Sequence, residues 1–67
     1  MNIMAEHIKA LKPYVSNIEE LVSADDVVVL LDTIDDLIVN DILANGDEPS
    51  EEGINLQKVY DQIFVLN

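Results

Sequence analysis

Apolar residues recur along this chain at helical intervals. Between residues 2 and 22 they fall at Met4, Ile8, Leu11, Val15, Ile18 and Val22, with spacings that alternate between four and three. That period puts them on one stripe of a helix. Pro13 interrupts the stripe, because proline lacks an N–H donor and its ring collides with the carbonyl four residues back. The pattern predicts one helix over 2–11 and a second over 14–22. A single kinked helix is the alternative, since the stripe keeps its phase across the break.

Ser23-Ala24-Asp25-Asp26 reads as the next helix start. Ser23 can cap the free amides, and the two aspartates fall in a first turn, where the helix dipole favours anions. The helix is expected over 24–44 and to stop at Asn45-Gly46, where glycine can take the left-handed conformation. At 1.5 Å per residue it spans roughly 30 Å. Its apolar arc holds Val27, Leu30, Leu31, Ile34, Leu37, Ile38 and Ile42, and the opposite side holds Asp25, Asp32, Asp36 and Asn40. Val28 and Val39 lie at the margin, with Asp35 between them; Val29 and Leu43 fall on the polar side.

After the polar loop Asp47–Gly53, Ser50 can cap a last helix with Glu51 and Glu52 in its first turn. Leu56, Val59, Tyr60, Ile63 and Leu66 form its seam, with Phe64 nearby. Val59-Tyr60 and Ile63-Phe64-Val65 have strand character, but the period favours a helix over 51–65. The expected fold is a single all-α domain over 1–67, with three or four helices around a long central one.

Size changes this picture. A chain of 67 residues with no cysteine has a marginal core and no disulfide or cysteine-based zinc site to support it. Its 49% apolar content exceeds what one small hairpin needs to cover. The surplus at Val28, Val29, Val39 and Leu43 is therefore expected to form the interface of a homodimer. The longest apolar run, Val27 to Leu31, is ended by Asp32, far short of the roughly 20 residues of a membrane span. Residues Met1–His7 lack a basic start followed by an apolar stretch, so no secretory signal is expected. The lack of cysteine fits a cytoplasmic location.

Charge narrows the partners. Fourteen acids against three lysines give a formal net charge of −11. The excess is uneven: residues 23–46 carry six acids and no base, whereas residues 1–22 carry three acids and two lysines. Such a field opposes direct binding to nucleic acid or anionic membrane and favours a basic protein. The expected contact face is Asp25, Asp32 and Asp36 together with the loop acids Asp47, Glu48, Glu51 and Glu52. DNA carries a charge per roughly 1.7 Å of axis. The helix stripe is far sparser, so imitation of DNA would need the loop acids or a second copy.

Candidate catalytic and metal chemistry is thin. Asp41, Asn45, Gly46 and Glu52 match positions one, five, six and twelve of a calcium loop, but Leu43 and Pro49 stand where ligands belong. Asp32, Asp35 and Asp36, with Glu19 or Glu20, recommend themselves for Mg²⁺, yet Asp35 points away from the other two and no base is placed to receive phosphate. His7 has no Ser, Cys or second His near it and reads as a surface residue. Asp41 lies within the apolar arc near the helix end. It either reaches water there, the preferred reading, or pairs with Lys58. The acidic helical composition resembles that of acyl carrier proteins, but Asp35-Asp36-Leu37 lacks the serine that would carry their prosthetic arm. No cofactor, no metal and no enzymatic activity are expected.

The stretch Asn45-Gly46-Asp47-Glu48-Pro49-Ser50, with Leu56-Gln57 and Tyr60-Asp61-Gln62-Ile63, resembles small acidic proteins encoded by bacteriophages and prophages. The resemblance covers the C-terminal third and brings no functional residues with it. It implies an accessory protein of a bacterial host cytoplasm that binds and inhibits, or regulates, a basic host protein, including one that binds nucleic acid. The alternative is a structural or assembly protein whose acidity only solubilises a helical oligomer.

Overall fold

The computed structural model describes all 67 residues. It is all-helical, with α1 over Ala5–Leu11, α2 over Ile18–Ser23, α3 over Val27–Ala44 and α4 over Glu51–Leu66. The molecule measures 35 × 22 × 19 Å, with a radius of gyration of 11.5 Å. The long helices α3 and α4 pack on each other, and the two short ones close the sides, α1 against α4 and α2 against α3.

The core follows the apolar period. Leu30, Ile34 and Ile38 of α3 face Leu56 and Ile63 of α4, and Leu11, Val15 and Ile18 complete the buried cluster. Each such aliphatic side chain stabilises the fold by about 1.5–3 kcal/mol on burial. No buried side-chain polar atom lacks a hydrogen-bond partner.

Three boundaries differ from expectation, each for a local reason. α1 begins at Ala5 rather than residue 2. Asn2 is instead engaged with the far end of the chain: its N–H donates to Asn67 Oδ1 at 2.9 Å, and Asn67 Nδ2 donates back to Asn2 O at 2.8 Å. The segment after Pro13 does not enter a helix at Tyr14. Leu11 O accepts from both Tyr14 N and Val15 N, making a turn, and α2 starts only at Ile18. Third, Ser23 is the last residue of α2 and caps nothing. Asp25 adopts φ 56, a left-handed conformation that aspartate tolerates better than most residues, and the chain turns there. Asp26 becomes the cap of α3, its Oδ1 accepting from Val28 N and Val29 N.

The far end of α3 stops as its residues predict. Gly46 takes φ 67, and Asp47 N donates to Ile42 O at 2.9 Å, the six-to-one bond of a Schellman motif. Ser50 caps α4 through Gly53 N.

Candidate functional site

The outward side of α3 carries the acids and the surplus apolar residues together. Asp32, Asp35 and Asp36 are exposed there, and so are Val28 at 62%, Val29, Val39 and Leu43 at 67%. Asp47 and Glu48 in the following loop, and Glu51 and Glu52 in the first turn of α4, are exposed beyond the C-terminal end of the same helix. One hydrogen bond and one left-handed residue shape that loop: Asn45 Nδ2 donates to Glu48 O at 3.0 Å, and Asp47 holds φ 67.

Asp25 does not share this face. It sits in the corner before α3, where its carboxylate pairs with the Met1 ammonium. The expected stripe assumed a helix start at residue 24; the left-handed turn at Asp25 removes that residue from the helix altogether. Of the fourteen acids, only Asp25 and Glu19 meet a cation, the latter through Lys12 at 3.4 Å. No base lies on α3.

Asp41 neither reaches out at a frayed end nor pairs with Lys58. Its Oδ2 accepts from Ser50 N at 2.8 Å and its Oδ1 from Ser50 Oγ at 2.5 Å. It thus fastens the start of α4 to the end of α3. Gly53 is buried directly over it, and a Cβ built at that position collides with the Asp41 carboxylate. The absent side chain lets the two helices meet. Nowhere do three or more His, Cys, Asp or Glu side chains converge as a metal site would require.

His7 corrects another expectation. It is only 2% exposed, not a surface residue. Met4 N donates to its Nδ1 at 3.3 Å, and its Nε2 lies 2.8 Å from Gln62 Oε1. The backbone donor makes Nδ1 the acceptor, so the proton resides on Nε2 and is given to Gln62. Nε2 thus docks α1 on α4, while Nδ1 satisfies the backbone at the start of α1 itself. A shallow cleft of about 410 Å³ lies beside this contact, lined by Met4, Glu6, His7, Asp61, Gln62, Val65 and Leu66.

The outer face of α4 escaped the sequence reading. Ile54 and Val65 are exposed, Val65 by 82%, with Lys58 and Asp61 exposed between them. Phe64 is exposed beside this stripe, its ring stacked on Tyr60 at a centroid distance of 6.4 Å. The signal was the second apolar spacing in the helix, one turn-face away from the seam that forms the core.

No helix is long and apolar enough to cross a membrane. The chain matches no protein-family model, no curated protein and no solved structure.

Proposed function

We propose that this protein is a non-enzymatic binding module that engages a basic protein through the outward face of α3 and the adjoining loop. The observation that carries this reading is the segregation of charge. Asp32, Asp35 and Asp36 on α3, Asp47 and Glu48 in the loop, and Glu51 and Glu52 at the start of α4 are all exposed, with no cation paired to any of them. Val28, Val39 and Leu43 lie among these acids and give a partner apolar surface to bury. Charge sets the encounter rate and the choice of partner, and apolar area supplies residence. The resemblance of the C-terminal third to small phage proteins implies a basic host protein as the partner, including one that binds nucleic acid, with inhibition or regulation as the outcome. The exposed valines and leucine also favour an assembly role in which the acids only solubilise.

The two readings separate on one triple variant. Asp32, Asp35 and Asp36 are replaced by Asn, with Asp25→Asn as a control outside the face. Proteins retained at low salt on the immobilised wild type are identified, purified and measured by interferometry. A working acidic face gives basic partners, roughly tenfold slower association for the triple variant, and a flatter salt dependence. Asp25→Asn leaves binding unchanged. Unaltered kinetics in the triple variant would reduce the stripe to a solubilising surface.

A further inference from the structure

The outward stripe of α4 reads Ile54, Lys58, Asp61, Val65, with spacings of four, three and four. These are successive core positions of a heptad, so the four side chains form one seam on a helix. All four are exposed, and the seam lies on the side of α4 away from Leu56 and Ile63 of the core. Its two charges are opposite in sign, and neither meets an ion-pair partner within the chain. Lys58 is the one base between residue 13 and the C-terminal residue.

This order is complementary to itself when reversed. Two copies of α4 laid antiparallel, with a two-fold axis between residues 59 and 60, set Ile54 against Val65 of the second copy and Lys58 against its Asp61. The same two contacts then repeat on the other side of the axis, as an isologous interface requires. The apolar residues lie at the ends and the charges in the middle, so every group finds a complement. The register also brings Ile54 of the second copy to the cleft beside Val65, where Met4 and Leu66 supply apolar walls.

We propose that the outer face of α4 is the self-association surface of this protein, occupied by α4 of a second copy in antiparallel orientation. The partner-binding reading of α3 is separate from this and can fail without it. The seam covers three helical turns, about 16 Å. It belongs at the small end of specific interfaces, so dimerisation is concentration-dependent. Antiparallel self-pairing in the same register is disfavoured on the outer face of α3, because it sets Asp32 against Asp35.

Charge reversal tests the proposal with the full chain at 0.15 M salt, where the general repulsion between acidic molecules is screened beyond about 8 Å. Sedimentation velocity gives the dimerisation constant of the wild type, Lys58→Glu, Asp61→Lys and the double variant. Each single variant should dimerise about tenfold more weakly, since each interface holds two such pairs. The double variant should return to the wild-type constant, and an equimolar mixture of the two single variants should form a heterodimer. Asp61→Lys is the deciding arm. It lowers the net negative charge, so general repulsion alone would strengthen its association, whereas the seam requires weakening. Helicity by circular dichroism confirms that each variant is folded. A wild type that stays monomeric up to millimolar concentration overturns the proposal. So does stronger association of Asp61→Lys, or a dimer that both single variants leave intact.

Discussion

The outward stripes of α3 and α4 are built to one pattern and differ in one sign. On α3 the stripe is Val28, Asp32, Asp35, Val39; on α4 it is Ile54, Lys58, Asp61, Val65. Both place β-branched residues at the ends, two charges in the middle and the same spacing between them, and both are exposed. Lys58 stands where α3 has Asp32. Reversed on itself, the α4 stripe matches lysine to aspartate twice. The α3 stripe matches aspartate to aspartate twice, and two like charges about 5 Å apart repel by roughly 0.8 kcal/mol even in bulk water. Apolar surface alone therefore does not say what covers a helix. The charges set between the apolar residues are the ground on which we propose a second copy for the balanced face and a basic partner for the acidic one.

The largest effect is expected from making the two stripes alike. Asp32→Lys gives α3 the alternation of α4, so both faces become self-complementary. Two isologous faces on different sides of one small molecule link copies into open chains rather than closing at a dimer. Light scattering should show a weight-average mass that exceeds the dimer and rises with concentration. Adding Lys58→Glu to that variant should return it to a simple dimer, now joined through α3. A mass unchanged by Asp32→Lys would break the comparison, because it would mean the stripe pattern does not direct association.

The two faces keep their relative orientation through the joint where Asp41 of α3 meets Ser50 and Gly53 of α4. Gly53→Ala should destabilise the fold by about 1–3 kcal/mol, because the new methyl displaces the Asp41 carboxylate from Ser50. The sign should change in an Asp41→Ala background. There the obstacle is gone, and alanine is favoured over glycine within a helix by about 1 kcal/mol. Urea denaturation of the four proteins closes this double-mutant cycle. Equal effects of Gly53→Ala in both backgrounds would show that the joint does not depend on that close approach.

How much of this was legible in the sequence depends on whether a residue's role follows from periodicity or from a contact across the fold. Leu30, Ile34 and Ile38 are buried as their four-residue spacing demands, and so are Leu56 and Ile63. Val29 and Leu43, assigned to the polar side of the wheel, are exposed. Asp25 and Asp26 were harder, because Ser23 and Asp26 are both good caps and only the left-handed turn at Asp25 chooses between them. His7 lies four residues before Leu11, at the edge of the stripe through Met4, Ile8 and Leu11. That position hinted at burial, but its partner Gln62 is 55 residues away. Asp41 stood out as a carboxylate in an apolar arc. What it binds, the start of the following helix, depends on how the loop closes and not on any local pattern. The α4 seam was present in the spelling of the chain throughout, yet it acquired meaning only once Leu56 and Ile63 had fixed which side of the helix faces out.

The smallest expected effect concerns how the two helices begin. Asp26 caps α3 at an exposed corner and does nothing else, its Oδ1 accepting from Val28 N and Val29 N. Ser50 caps α4 through Gly53 N while its own hydroxyl donates to Asp41. Asp26→Ala therefore removes a cap and leaves only solvent-accessible amides, a loss of about 1 kcal/mol, and Asp26→Asn, which keeps an acceptor, should cost only a few tenths. Ser50→Ala removes a cap of the same kind and also takes one of two hydrogen bonds from a half-buried carboxylate. Hydrogen bonds to charged groups stabilise more than neutral ones, so its cost should approach 2 kcal/mol. Thermal unfolding should show the smallest loss for Asp26→Asn, a larger one for Asp26→Ala and the largest for Ser50→Ala. Ser50→Ala at or below the cost of Asp26→Ala would mean that Asp41 finds water as good a partner as Ser50, and that the joint holding the two faces rests on packing against Gly53 alone.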